Sequence, residues 1–251
     1  MNRDELVTYL DEYLHIRDID DKSNNGLQVE GGDEVTRLAL AVDAGLAAFE
    51  GAAQMGAQML LVHHGLFWGE PILITGIQRR RLQVLFDAGL SLYAAHLPLD
   101  FHPEVGNNAT LARWLDLTDV APFGNYKGSP AGVAGRLHQA TTLEQFAAQV
   151  EGTLGEPVIR VWPFGPETVR RVGIVSGGAG FLVDQAARAG VDVYLTGELS
   201  HSYFHQAQEL GLNVIYGGHY ATETAGLKAL ADHLATKFGL ETTFLDLPTG
   251  A

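Results

Sequence analysis

The chain has 251 residues, 46% of them hydrophobic and 18% charged, with no cysteine and a formal net charge of -14. This is the composition of an ordinary folded protein, long enough for one large domain or two modest ones. It excludes disulfides and thiolate ligands, and an acidic surface disfavours nucleic acid as a partner.

Residues 3 to 14 read as an amphipathic helix with Leu6, Leu10 and Leu14 on one side. This acidic start lacks the basic, then apolar, layout of a secretory signal, and no apolar run approaches the roughly 20 residues that span a bilayer. A cytoplasmic protein with no membrane partner is therefore expected. Asn25-Gly26 is a turn signal, with a short strand at 27 to 30. "RLALAVD" is a strand and "AGLAAFEGAAQMGA" a helix that Asp43 is placed to cap; capping is the favoured role for Asp43 over metal ligation. "QMLLVHHG" is the next strand, "GIQRRRLQVLFDAGL" a helix whose three arginines read as a solvated face, and "SLYAAHLPLD" a strand running into a turn at Pro98. "NNATLARWLDL" is a further short helix.

Residues 121 to 135 are rich in Gly and Pro and mark a boundary. The expected division is a first lobe over 1–124, completed by a C-terminal helix within 224–251, and a second lobe over 125–223. In the second lobe, "TLEQFAAQVEGTLG" is a helix opened by Thr141 or Thr142, and "PVIRVWPFG" is a strand. Next, "VRRVGIVSGGAGFLVDQAARAGVDVYLTGELSH" is strand, Gly-rich turn, helix, strand, and "SYFHQAQELGLNVIYGGHY" is helix then strand. "TETAGLKALADHLATKFGL" is the last helix. Alternating strands and helices indicate an α/β fold: two related lobes with helices covering mixed, largely parallel sheets.

The relation between the lobes is visible as a repeat. "RLALAVDAGLAAFEGAAQMGAQMLLVHHG" can be laid over "RRVGIVSGGAGFLVDQAARAGVDVYLTGE", each unit being strand, small-residue turn, helix, strand and polar tip. The units continue to "YAAHLPLD" and "YGGHYATE", in which a histidine precedes a carboxylate by four residues: His96 and Asp100, His219 and Glu223.

In parallel α/β sheets ligands bind beyond the carboxyl ends of the strands. His63, His64, Asp100 and His219 fall at such ends, and Glu223 in the turn that follows. Adjacent strand residues face opposite ways, so His63 and His64 can share a site only where the strand has ended and Gly65 lets the chain turn. A mixed imidazole and carboxylate set suits Zn, Fe, Mn, Co or Ni. Splayed histidines can each hold a different ion, giving a dinuclear centre. Three neutral histidines and two carboxylates leave two divalent ions with a surplus of about two positive charges, which acidifies a bridging water and attracts an anionic substrate. His96 is a candidate ligand or a group orienting one, and with Glu198 a candidate for proton transfer. His201 shares the tip that carries Glu198. Ser176 to Gly180 lacks the lysine of a phosphate-binding loop and reads as a tight turn rather than an anion cradle. Phe67 and Trp68 read as packing for an extra loop. His15, His102, His138, His205 and His233 have no evident role.

"NNGLQVEG", "LLVHHGLFW", "AAHLPLD", "TGELSH" and "GGHYATE", in this order, resemble the Nif3-like family, whose members carry the label GTP cyclohydrolase 1 type 2 homolog. The resemblance spans Asn24 to Glu223 and implies the short form, without an inserted domain. It implies a two-metal site on His63, His64, Asp100, His219 and Glu223. It also implies a homohexamer, a trimer of dimers, with the metal sites facing an internal cavity. Tyr220 stands where some relatives carry another histidine. The functions open at this stage are a metal-dependent hydrolase for a small anionic or nucleotide-like substrate and a non-enzymatic metal-handling or regulatory assembly; DNA binding by an annular hexamer is disfavoured by the charge.

Overall fold

The computed structural model describes residues 1–250. The chain opens with α1 (Arg3–Tyr13), whose N-cap Asn2 accepts from the amides of Asp4 and Glu5 and whose Leu6 and Leu10 are buried. β1 (Gly26–Val29), β2 (Arg37–Asp43), α2 (Leu46–Gln54), β3 (Met59–His64), α3 (Gly76–Ala88) and β4 (Ser91–Ala94) follow. Asp43 does not cap α2: the helix begins after Gly45 with no side-chain cap, and Asp43 is still the last residue of β2. The strand expected to reach Pro98 ends at Ala94, and α4 (Leu97–Phe101) takes Pro98 into its first turn, where a missing N–H leaves no bond unmade.

Next come α5 (Asn107–Trp114), β5 (Thr118–Phe123), β6 (Gly132–Thr142), α6 (Leu143–Leu154), β7 (Arg160–Trp162) and β8 (Thr168–Val175). α7 (Val183–Arg188), β9 (Val193–Thr196), α8 (Phe204–Glu209) and β10 (Asn213–Tyr216) follow, each of the two helices led in by a 3-10 turn. α9 (His219–Phe238) starts three residues earlier than its apolar pattern suggests, with His219 as its first residue. The chain beyond Phe238 does not stay helical: Glu241–Phe244 is an unforeseen strand, β11.

The chain forms two compact units, Met1–Val105 with Gly226–Leu247, and Gly106–Ala225 with the segment that starts at Pro248, so α9 begins in one and ends in the other. The sequence boundary stood at 124/125; β5 pairs with β6 in the second sheet, and the Gly- and Pro-rich residues between them form the connection of that antiparallel pair. The first sheet has the order β1-β4-β3-β2-β11, parallel except for β1. The second has the order β5-β6-β8-β9-β10-β7, with β8, β9 and β10 parallel and antiparallel strands on either side. The run β2-α2-β3-α3-β4 and the run β8-α7-β9-α8-β10 therefore share order and pairing, as the internal repeat implies.

Each unit has its own core. In the first, Ala39, Ala41, Leu60, Val62 and Leu92 pack with Phe49 and Ala52 of α2 and Leu82 and Leu85 of α3. In the second, Val172, Ile174, Val193, Leu195 and Ile215 pack with Phe146 and Val150 of α6 and Leu111 of α5. No helix among the described residues is long and apolar enough to cross a membrane.

α6 shows both determinants of a stable helix. Thr142 accepts from the Gln145 amide while the Gln145 side chain accepts from the Thr142 amide, a reciprocal capping box, and Phe146 is fully buried one turn on. Thr142→Ala is expected to lower stability by about 1 kcal/mol and Phe146→Ala by about 3–5 kcal/mol, both read from denaturant unfolding.

Candidate metal centre

β3 delivers His63 and His64 at its end, and the neighbouring parallel strands supply their partners. Asp43 lies opposite His64 in the β2–β3 register, and the His64 Nδ1 lies 2.8 Å from Asp43 Oδ1. His63 is fully buried, and its Nδ1 lies 2.9 Å from the carbonyl oxygen of Ala95, the residue after β4. A carboxylate and a carbonyl only accept, so each Nδ1 carries the proton and each Nε2 keeps the lone pair that binds metals. His63 Nε2 lies 3.5 Å from Asp100 Oδ2 of α4.

Gly65 follows because there is no room for a side chain: a Cβ there would strike the Gln28 amide and the Ala94 methyl. The Gln28 oxygen in turn accepts from the Leu66 amide at 2.7 Å, which fixes the exit of the chain. Trp68 is 37% exposed, its indole N–H donates to the Gly65 carbonyl, and its ring stands edge-on to His96 at 5.0 Å, while Phe67 packs against the first unit's core.

His96 joins His63 and His64: one ring nitrogen of each lies within 4.8 Å of the others. Its partner is Asp21, which sequence reasoning missed. Both Asp21 oxygens lie 3.0 Å from His96 Nδ1, and Asp21 also accepts from the amides of Ser23 and Leu97 and from the Asn25 side chain. Burial alone would raise the Asp21 pKa, but His96, Asn25 and Ser23 together hold it well below the usual carboxylate range. Asp21 lies in a polar loop with no periodicity, so only the adjacent Asn25-Gly26 turn signal hints at ordered structure there.

In the second unit the loops after three parallel strands converge. The Gly177 carbonyl, after β8, accepts from the amides of Gly197 and Glu198, after β9. The Gly218 amide, after β10, donates to the Gly197 carbonyl. His219 follows, with Nδ1 2.9 Å from Glu198 Oε2 and Nε2 3.1 Å from Glu223 Oε1, one turn along α9. Glu198 thus meets His219 Nδ1 as Asp43 meets His64 Nδ1. Gly177 sits at φ +65°, and a Cβ there would collide with Glu223 Oε1. The Gly-rich turn is a seat for a carboxylate, which is incompatible with cradling a phosphate at the same place. His201 is exposed on a 3-10 turn.

Of the five ligands expected, His63, His64 and Asp100 are brought together in the first unit, and His219 and Glu223 in the second. The donor set, imidazoles with Nδ1 held by oxygen together with carboxylates, fits a divalent transition ion.

The model of the family described as Duf34/NIF3 (NGG1p interacting factor 3) matches residues 1–249. The chain belongs to the Duf34/NIF3 family. A family relative from Deinococcus radiodurans, named GTP cyclohydrolase 1 type 2 homolog, is 48% identical over all of this chain and 95% of its own length. One of the same name from Pyrococcus abyssi is 45% identical, with both chains covered in full. The crystal structure of TTHA1606 from Thermus thermophilus has a TM-score of 0.91 and 48% identity, again covering both chains in full. These Duf34/NIF3 relatives are similar over the whole chain, so the fold is that of the family.

Two outcomes follow for the second-unit half of the site. Gly177→Ala is expected to displace the Glu223 carboxylate and to destabilise the chain by about 1 kcal/mol or more, read by thermal unfolding. In metal-free protein the Glu223 hydrogen bond, assisted by Glu198 against the opposing effect of burial, raises the His219 pKa from 6.5 to about 9. The stability this contributes is full below pH 6.5 and lost as pH rises through about 9. An NMR titration of the His219 ring checks the value.

Proposed function

We propose that this chain is a dinuclear metal-dependent hydrolase acting on a small anionic or nucleotide-like substrate, with His63, His64, Asp100, His219 and Glu223 holding two divalent ions. The observation that carries the reading is that the three histidines each turn Nδ1 to an oxygen, of Ala95, Asp43 and Glu198 respectively. That is the orientation metal-ligating histidines require, because it fixes the tautomer and the ring plane. Bound divalent ions supply Lewis acidity and bring the pKa of a coordinated water toward neutrality.

The residues of the chain have separate tasks in this reading. Asp43 and Glu198 orient imidazoles. Asp100 and Glu223 supply negative charge that limits the surplus on the ions to about two units, enough to draw an anion to an otherwise acidic protein. Gly177 keeps the Glu223 carboxylate in place. The cyclohydrolase in the names of the relatives supports a nucleotide among the substrates to be tested. Assembly into a hexamer is part of the proposal. Leu73, Ile74 and Ile77 are exposed by 80%, 60% and 57%, and this apolar surface supports self-association.

The first test is elemental analysis of protein purified without chelators or a metal-affinity tag. About two equivalents of metal per chain, reduced in His64→Ala and Glu223→Ala, is the expected result. The metal-loaded protein is then assayed on nucleotides and phosphoesters, with turnover expected for the wild type and lost in Glu223→Ala. Metal without turnover on any substrate would favour a metal-handling assembly; no metal even after reloading would remove the basis of the reading. Light scattering is expected to give a mass of about six times 27.0 kDa.

A further inference from the structure

The five ligands leave His96 without a task. We propose that His96 is a further metal ligand, presented by Asp21, so that His63, His64 and His96 offer three imidazoles to the metal centre. The inference rests on the metal-centre reading above and extends it by one ligand and one positioning residue.

Three observations carry it. The first is convergence: ring nitrogens of the three histidines lie within 4.8 Å of one another, and the His96 ring centre is 5.1 Å from that of His63 and 5.5 Å from that of His64. Three imidazoles with Nδ1 held against oxygen can each offer the other ring nitrogen to a cation.

The second is the rigidity of the mount. Asp21 meets His96 Nδ1 with both oxygens, and it accepts from the Leu97 amide at 3.1 Å while the Asn25 side chain accepts from the His96 amide at 2.9 Å. Its side chain is only 4% exposed. Ring and backbone of His96 are thus held by the one loop, and Trp68 closes the ring from its edge. Holding an imidazole this closely is what a ligand needs and what a surface histidine lacks.

The third is contrast within the same unit. His102 is a histidine that serves the fold: its Nε2 donates to the Tyr13 carbonyl and its Nδ1 accepts from the amides of Glu104 and Val105. Both of its nitrogens are used by backbone. His96 gives only Nδ1 to its mount and turns the rest of the ring to His63 and His64.

The test is cobalt(II) titration of metal-stripped protein, followed by visible absorption, with circular dichroism as the check on folding. The variants are His96→Ala, Asp21→Asn and, as a control, His102→Ala. Wild type is expected to take up cobalt with a ligand-field band. His96→Ala should alter the position and intensity of that band and weaken one site at least tenfold. Asp21→Asn should weaken binding by about 10- to 100-fold yet recover the wild-type band at saturating cobalt, because His96 is still present. This split between affinity and spectrum is not what a purely structural role would give. His102→Ala should lower thermal stability and leave the band unchanged. A wild-type spectrum and affinity in His96→Ala would overturn the inference and leave the metal centre standing, whereas failure of the wild type to bind cobalt would bring down both. If His96→Ala does not fold, Asp21→Asn and His96→Gln decide by the same band and affinity.

Discussion

An imidazole whose Nδ1 proton is given to a fixed oxygen has one lone pair left, on Nε2, and one direction in which to use it. His63, His64 and His96 are held in this way by the Ala95 carbonyl, Asp43 and Asp21, while His219 meets Glu198 with Nδ1 and Glu223 with Nε2. The strands matter to the site because they put these oxygens where the rings need them. The parallel register sets Asp43 beside His64, and the end of β4 sets Ala95 beside His63. A one-residue slip of β3 against its neighbours would send each ring to the wrong face and away from its oxygen.

Site and surface carry opposite demands of charge. The chain is strongly acidic, with 30 Asp and Glu against 16 Lys and Arg. Several of the carboxylates near the histidines are engaged and partly or fully buried, so they orient rings instead of spreading negative potential into solvent. Asp21 shows how this is done: desolvation opposes its charge, and hydrogen bonds from His96, Asn25 and Ser23 more than offset that cost. Buried carboxylates need such support, and the loop from Asp21 to Asn25 is built to provide it.

Much of this was legible in the sequence, for physical reasons that particular residues make plain. The apolar run Met59 to Val62 reads as an interior strand, which puts the two histidines that end it at its tip. The repeat then aligned His96 with His219 and Asp100 with Glu223, and the order of motifs pointed to the family. The partners of the rings were not legible. Asp43 pairs with His64 across a parallel ladder, a relation set by register rather than by spacing along the chain. Asp21 precedes His96 by 75 positions in an aperiodic loop. Glu198 was noticed, but its task depends on α9 starting at His219, and Gly217-Gly218 hid that start by interrupting the helical pattern. β11 was missed because four residues after a long helix give too short a pattern to announce a strand.

The edge strand β11 has a consequence for how the protein is made. β11 pairs with β2, and Arg37 meets Glu241 across 204 positions of chain. During synthesis β2 leaves the ribosome long before β11, so one edge of β2 stays unpaired until residues 241–244 emerge. The core cluster and all strands of the second unit lie within Gly106–Ala225 and wait for no later strand. The second sheet can thus close while the first still carries an open edge at β2, the kind of exposed strand edge that invites mispairing with another chain.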